Sequence, residues 1–343
     1  MRLNANAGLV SDAASPDVSF ESGGYRLAGT LTDAAGPGGA GPVAAALVLQ
    51  GSGKTDRNSD SRLPGGQTLR GGVTRAVAEA LTRAGVSTLR YDKRGVGASE
   101  GDILRVGMDD RRADAHAALA WLADRVPGVP LLAVGHSEGA FYAAELAADG
   151  AVAGAVLLSA GARPGEDILT WQTAEITARL PTLTSGILRL LHIDVIGSQR
   201  KRVAKIKAAQ GDVIRIQGFR FNARWFRDFL AYDPVPVLAR IPVPVLAITG
   251  GQDVQVPPDD VAAIGRLVRG PFEGHVVGDL SHLLRPDPGS VGPRGYRRAA
   301  RQPVSPEVLD LINAWVAQHW AGQHGGSQHG VSQPSVVRSP DDR

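Results

Sequence analysis

The chain has 343 residues, 43% hydrophobic and 21% charged, with a formal net charge of +3; it is long enough to bury a sizeable core, and its charge makes no case for nucleic acid or an anionic membrane. The absence of cysteine excludes disulfides, thiolate metal sites and a cysteine nucleophile. No apolar run is long enough to span a bilayer, and no signal-like apolar core follows Met1-Arg2-Leu3-Asn4-Ala5-Asn6, so the expectation is a soluble, cytoplasmic protein.

Residues 1–16 are small and polar and read as a flexible lead-in. Val18-Ser19-Phe20 and Tyr25 to Leu31 flank Glu21-Ser22-Gly23-Gly24 as an antiparallel hairpin, and Ala44 to Leu49 reads as a buried strand. From there short apolar strands alternate with amphipathic helices: a helix over 73–84, a strand over 86–91, a helix over 109–125, a strand over 131–134, a helix over 138–148 and a strand over 155–158. This alternation predicts an α/β fold with a mostly parallel central sheet flanked by helices. It breaks over 165–239, where helix-like stretches predict a cap between 17–164 and 240–321 of the core. The basic run Arg200, Lys201, Arg202, Lys205 and Lys207 reads as a solvated helix face. Strands over 243–249 and 272–277, a helix over 258–268 and a last helix over 306–319 complete the core. Residues 322–343 are rich in Gly, Gln, Ser, His and Pro and read as a disordered tail.

The chemistry centres on Gly135-His136-Ser137-Glu138-Gly139, a serine between two glycines at a strand-to-helix junction. That pattern predicts a nucleophile elbow, in which the serine hydroxyl is exposed at the positive end of a helix. A serine needs a general base, and the base needs an acceptor that fixes its tautomer. In a parallel sheet these belong on loops leaving the C-terminal ends of later strands, which selects Asp253 after the strand over 243–249 and His282 after the strand over 272–277. The order Ser137, Asp253, His282 is that of α/β-hydrolases. Asp279 competes as the acid but lies only three residues before His282, and His136 lies within the elbow and is expected to point elsewhere. Two N–H groups are expected to face a developing oxyanion: that of Glu138, and that of Ser52 in the glycine-rich loop after the strand over 44–49. Gly53-Lys54-Thr55 imitates the end of a phosphate-binding loop, but Val48 stands where the first glycine of that motif belongs. No cofactor and no metal are implied.

The chain resembles bacterial serine esterases of the α/β-hydrolase superfamily, in particular a subgroup with a Gly-Ser-Gly oxyanion loop followed by Asp-Arg. The resemblance is carried by Gln50-Gly51-Ser52-Gly53 with Asp56-Arg57, by Arg90 to Ser99, the elbow, Phe229 to Pro234, Gly250 to Pro257, and Ser281-His282-Leu283-Leu284. Lys54 departs from the subgroup's proline, and Gln50 from the histidine common elsewhere in the superfamily. The resemblance implies carboxylester hydrolysis, transfers nucleophile, acid and base onto Ser137, Asp253 and His282, and implies a helical cap between the sixth and seventh of eight strands. The Asp92 to Ser99 stretch reads as a loop-shaping element.

Three functions remain open at this level. The first is a hydrolase of small-molecule esters with short-to-medium apolar acyl chains, whose pocket is formed by Ile187, Leu188, Leu191, Trp225 and Phe226, with Ile193 nearby. The second keeps the same three residues but acts on peptides or thioesters, or transfers the acyl group. The third is a binding module without catalysis, which the presence of all three residues disfavours. The composition of 322–343 also generates a prediction: its deletion leaves the melting temperature within about 2 °C, as a scanning calorimetry trace checks, because a segment without an apolar pattern has nothing to dock.

Overall fold

A computed structural model of the chain describes residues 17–36, 39, 41–62, 68–180, 194–286 and 297–320. The expected lead-in and tail, and pocket candidates Ile187, Leu188, Leu191 and Ile193, lie outside the described residues.

The chain begins with β1 (Asp17–Ser22), β2 (Tyr25–Thr32) and β3 (Ala44–Leu49), followed by the short ladder of β4 (Ser61–Arg62) and β5 (Thr68–Leu69). It continues through α1 (Val73–Arg83), β6 (Val86–Tyr91), α2 (Met108–Arg125), β7 (Leu131–His136), α3 (Glu138–Ala148) and β8 (Gly154–Leu158). Between β8 and the next sheet strand come α4 (Gly165–Ala178), α5 (Val195–Ala208), β9 (Val213–Ile216), β10 (Phe219–Asn222), α6 (Ala223–Ala231) and α7 (Val235–Leu238). The chain returns through β11 (Val245–Gly250), α8 (Asp260–Leu267), β12 (Phe272–Val277) and α9 (Pro306–Trp320).

Eight strands form one sheet in the order β1-β2-β6-β3-β7-β8-β11-β12. Only the β1/β2 and β2/β6 pairs are antiparallel; the remaining five are parallel. The central strands β3, β6, β8 and β11 are buried along their whole length, and β3, β8 and β11 are near-continuous apolar runs, as strands covered on both faces tend to be, whereas β6 also buries Ser87, Thr88 and Arg90. The edge strand β12 instead carries part-exposed and exposed residues along most of its length. Helices α2, α3 and α8 cover one face through Leu119, Leu122, Leu146 and Ile264; α1 and α9 cover the other through Val77, Leu81, Ile312 and Trp315.

The mostly parallel sheet flanked by helices that the alternation predicts is what the structure shows, and the strands and helices expected within it lie within about two residues of those observed. The insertion follows the sixth sheet strand in chain order and precedes the seventh. It is not wholly helical: Val213–Ile216 and Phe219–Asn222 pair as an antiparallel hairpin, turned by Gln217 and Gly218 at φ 49° and 83°. The physical reason is local: Val213, Ile214 and Ile216, then Phe219 and Phe221, supply β-branched and aromatic residues either side of a Gly-containing turn, a strand pattern.

Two close approaches place the β7–α3 junction. A Cβ on Gly135 would lie 2.1 Å from the Gly139 carbonyl oxygen, and one on Gly139 would lie 2.4 Å from that of Leu49 in β3. Backbone meets backbone at both positions, so no rotamer relieves the clash. Gly139→Ala is therefore expected to lower stability by roughly 3 kcal/mol, read as a shift in the urea midpoint; an unchanged midpoint would contradict this geometry.

Candidate active site

Ser137 is held at φ 56° and ψ −119°, a region that costs a non-glycine residue about 1–3 kcal/mol. The turn persists because its N–H donates to the Leu158 carbonyl of β8 at 2.8 Å and its carbonyl accepts from Ala140 at 3.0 Å. The side chain borders a cavity of about 370 Å³.

Asp253 leaves β11 and His282 follows β12, and their side chains meet in the interior: His282 Nδ1 lies 2.8 Å from Asp253 Oδ2, with the two side chains 5% and 0% exposed. The other carboxylate oxygen, Oδ1, accepts from the N–H groups of Gln255 at 2.7 Å and Val256 at 3.0 Å. Burial alone would raise the Asp253 pKa, but His282 and those two N–H groups outweigh it and hold the carboxyl below its ordinary value. An ionised acceptor therefore faces Nδ1 and favours the tautomer that carries its proton there, leaving Nε2 as the basic nitrogen. Among the described residues the hydrogen bonds of His282 run to Asp253, His136 and Ser159, and none joins it to Ser137 Oγ.

His136 does not simply point away. Its Nε2 lies 2.8 Å from the His282 carbonyl oxygen, and the two rings stand 5.0 Å apart. A carbonyl only accepts, so His136 carries its proton on Nε2; burial, and then the neighbouring His282, push its pKa down to about 3, so that it is neutral. The residue before Ser137 thus anchors the backbone of the residue that faces Asp253.

The loop after β3 adjoins the elbow: a Cβ on Gly51 would lie 3.3 Å from Ser137 Cβ. Ser52 and Glu138 both border the cavity, and the N–H of neither is used by another backbone carbonyl among the described residues. Asp92, expected to shape the loop, accepts from the Arg57 N–H and guanidinium and from the Ala98 N–H, tying the loop after β3 to the one after β6. Lys93 reaches further than that expectation, with Nζ 2.6 Å from the Gly51 carbonyl.

The Glu138 side chain has a separate role from its N–H. Arg111 Nη1 in α2 donates to both of its oxygens, and Oε1 also accepts from the Tyr142 hydroxyl and the Trp225 indole N–H, each at 2.6 Å. Burial raises the Glu138 pKa, but Arg111, Lys93 and these hydrogen bonds outweigh it, so the buried carboxyl is ionised. Trp225, from α6, is thereby fastened to the residue next to Ser137, with its ring stacked on Phe229 at 5.2 Å and Arg111 5.6 Å from the ring centre.

Of the pocket residues expected from sequence, Trp225 and Phe226 border the cavity. Sequence reasoning missed Ile103 and Leu104 before α2, Phe141 of α3, and Ile168 and Leu169 of α4, which form much of the apolar wall. It also missed Arg111. The available signal was Glu138 itself, a carboxylate at the start of an apolar helix, which needs a cation when buried. Among the described residues no group of three or more His, Cys, Asp and Glu is placed to hold a metal, and no helix is long and apolar enough to cross a membrane.

The sheet order, the elbow and the strand-exit loops define the α/β-hydrolase fold, and comparison with known proteins agrees. A family model described as serine aminopeptidase, S33 matches residues 66–284, and the chain belongs to that family. Esterase EstD of Thermotoga maritima is 25% identical over 284 residues, 82% of this chain, which spans 64% of that relative's length. Among solved structures, the Pyrococcus furiosus esterase PF2001 aligns with a TM-score of 0.57 at 17% identity, covering 90% of this chain and 91% of that one. The proline iminopeptidase of Mycobacterium smegmatis aligns with a TM-score of 0.58 at 14% identity, covering 89% and 98%. The latter two likenesses concern the fold alone.

The Glu138 cluster yields a stability prediction. Arg111→Met leaves a carboxylate buried without its cation and is expected to cost about 3–5 kcal/mol in chemical denaturation. Adding Glu138→Gln to that variant is expected to restore a large part of the loss, which a double-mutant cycle measures.

Proposed function

We propose that the chain is a serine hydrolase that cleaves carboxylic esters with short-to-medium apolar acyl chains through an acyl-enzyme. The observation that carries this reading is the buried His282–Asp253 pair at 2.8 Å, anchored through His136 to the elbow that presents Ser137. In this mechanism His282 Nε2 takes the proton of Ser137 Oγ as that oxygen attacks the ester carbonyl, and Asp253 stabilises the imidazolium that forms. The N–H groups of Ser52 and Glu138 receive the developing oxyanion, each worth about 2.7–4 kcal/mol at the transition state. His282 then returns its proton to the leaving alcohol, and the same residue activates water to release the acid.

The family description raises peptide hydrolysis as a second reading. An aminopeptidase must receive a free α-ammonium group, for which a carboxylate is the natural partner. The one carboxylate bordering the cavity among the described residues, Glu138, is already committed to Arg111, Tyr142 and Trp225, while Lys54 adds positive charge to the wall. The apolar wall and this charge balance favour an uncharged ester, as does the name of the relative EstD.

Turnover of p-nitrophenyl esters from acetyl to dodecanoyl, set beside aminoacyl amides and thioesters, tests the reading. Ser137→Ala is expected to lower kcat on the best ester by roughly 10⁴-fold or more without unfolding the chain. Each methylene that fits the pocket contributes about 0.8 kcal/mol, so kcat/KM is expected to climb with chain length until the pocket is full, and Trp225→Ala to move that optimum. Faster cleavage of aminoacyl amides than of any ester would favour the peptidase reading.

A further inference from the structure

Lys93 is a buried amine with no part in the steps above. It follows β6 by two residues, and only 5% of the residue is exposed. Its Nζ donates to the Gly51 carbonyl oxygen at 2.6 Å and to Thr55 Oγ1 at 2.9 Å. The Thr55 hydroxyl donates to the same Gly51 oxygen at 3.1 Å. Two donors, one of them an amine sequestered from water, therefore converge on a single carbonyl in the loop beside Ser137.

That carbonyl belongs to the peptide unit whose N–H is Ser52's. In a trans peptide the C=O and N–H point in opposite directions, and the described residues contain no cis bond. Fixing the oxygen toward Lys93 thus fixes the direction in which the Ser52 N–H points. A cation at the oxygen end also draws electron density along the amide, which makes the N–H a stronger donor, as polarised hydrogen-bond chains do.

We propose that Lys93 is the positioning residue of the oxyanion site, holding and polarising through the Gly51 carbonyl the peptide whose Ser52 N–H receives the charge of the transition state. This rests on the reading of Ser137 as nucleophile and Ser52 as donor. Asp56, Asp92 and Glu138 favour the charged amine and Arg111 opposes it; burial, then Arg111, lower its pKa to about 7 against the pull of the three carboxylates. Below that pH Lys93 is an ammonium; above it the neutral amine still donates hydrogen bonds but no longer carries the charge that strengthens the Ser52 N–H. The reaction is therefore expected to slow as pH rises through about 7, in addition to any change that His282 imposes.

The test is the second-order rate of reaction with a fluorophosphonate, measured from pH 5.5 to 9.5 on wild type, Lys93→Met and Lys93→Arg, with melting temperatures alongside. In that reaction Ser137 Oγ bonds to phosphorus and gives its proton to His282 Nε2, the P–F bond breaks and fluoride leaves, and the phosphoryl oxygen gathers charge in the oxyanion site. Wild type is expected to lose roughly three- to tenfold in rate on the alkaline side of pH 7. Folded Lys93→Met is expected to react about 10–100-fold more slowly at pH 6.5, less than or comparable to deletion of a donor itself, and to lack the alkaline fall. Lys93→Arg, which keeps its charge, is expected to lack that fall whether or not it recovers the full rate. A lysine that only supported the fold would alter the melting temperature without removing a limb of the pH profile. A folded Lys93→Met that reacts at the wild-type rate, or keeps the wild-type alkaline fall, would overturn the assignment. If Lys93→Met does not fold, Lys93→Arg carries the test, and a folded Lys93→Arg that keeps the wild-type alkaline fall overturns it equally. Failure of wild type to react at any pH would overturn the serine-nucleophile reading first and this one with it, which separates the two failures.

Discussion

The tight meeting of β3, β7 and the start of α3 is the constraint on which the site depends. Gly135 and Gly139 are needed because carbonyl oxygens occupy the space of their missing side chains, and the strained Ser137 backbone exists only where those contacts and its bond to β8 overrule its preference. The sheet supplies the rest by position. Because the central strands run parallel, the loops that carry Ser52, Ser137, Asp253 and His282 all leave the same end, and residues far apart in sequence converge without any local signal joining them.

Burying charge is costly unless each charge has partners, and this chain supplies partners for the charges around its candidate site. Glu138 is held by Arg111, Tyr142 and Trp225; Asp253 by His282 and two backbone N–H groups; Asp92 by Arg57 and Ala98. Neutral His136 adds no charge and ties two loops together. The Trp225 indole brings α6 into this arrangement, so the wall of the cavity and the elbow are joined by a hydrogen bond to a carboxylate, stronger than one between neutral groups.

Strands such as Ala44–Leu49 and Val245–Gly250 were legible because full burial on both faces leaves no polar alternation, so that they read as strands on composition alone. The elbow was legible from its two glycines, and Asp253 and His282 from their places just past strand ends. The hairpin at 213–222 was obscured by the helical segments around it, although its own residues alternate as strands do. Arg111, Lys93 and the Ile103, Leu104 and Ile168 wall were not legible, because their partners lie across the fold: Lys93 meets Gly51 across 42 positions and Arg111 meets Glu138 across 27. Side chains at such separations are brought together by topology, and periodicity carries no record of it.

The central claim is that the strained elbow makes Ser137 the one nucleophile of this cavity. Intact chain treated with a fluorophosphonate and mapped by mass spectrometry tests it most directly. The account predicts a single phosphonyl group per chain, on Ser137, and none when the chain is unfolded before the reagent is added. An adduct on another residue, or equal labelling of folded and unfolded chain, would contradict it.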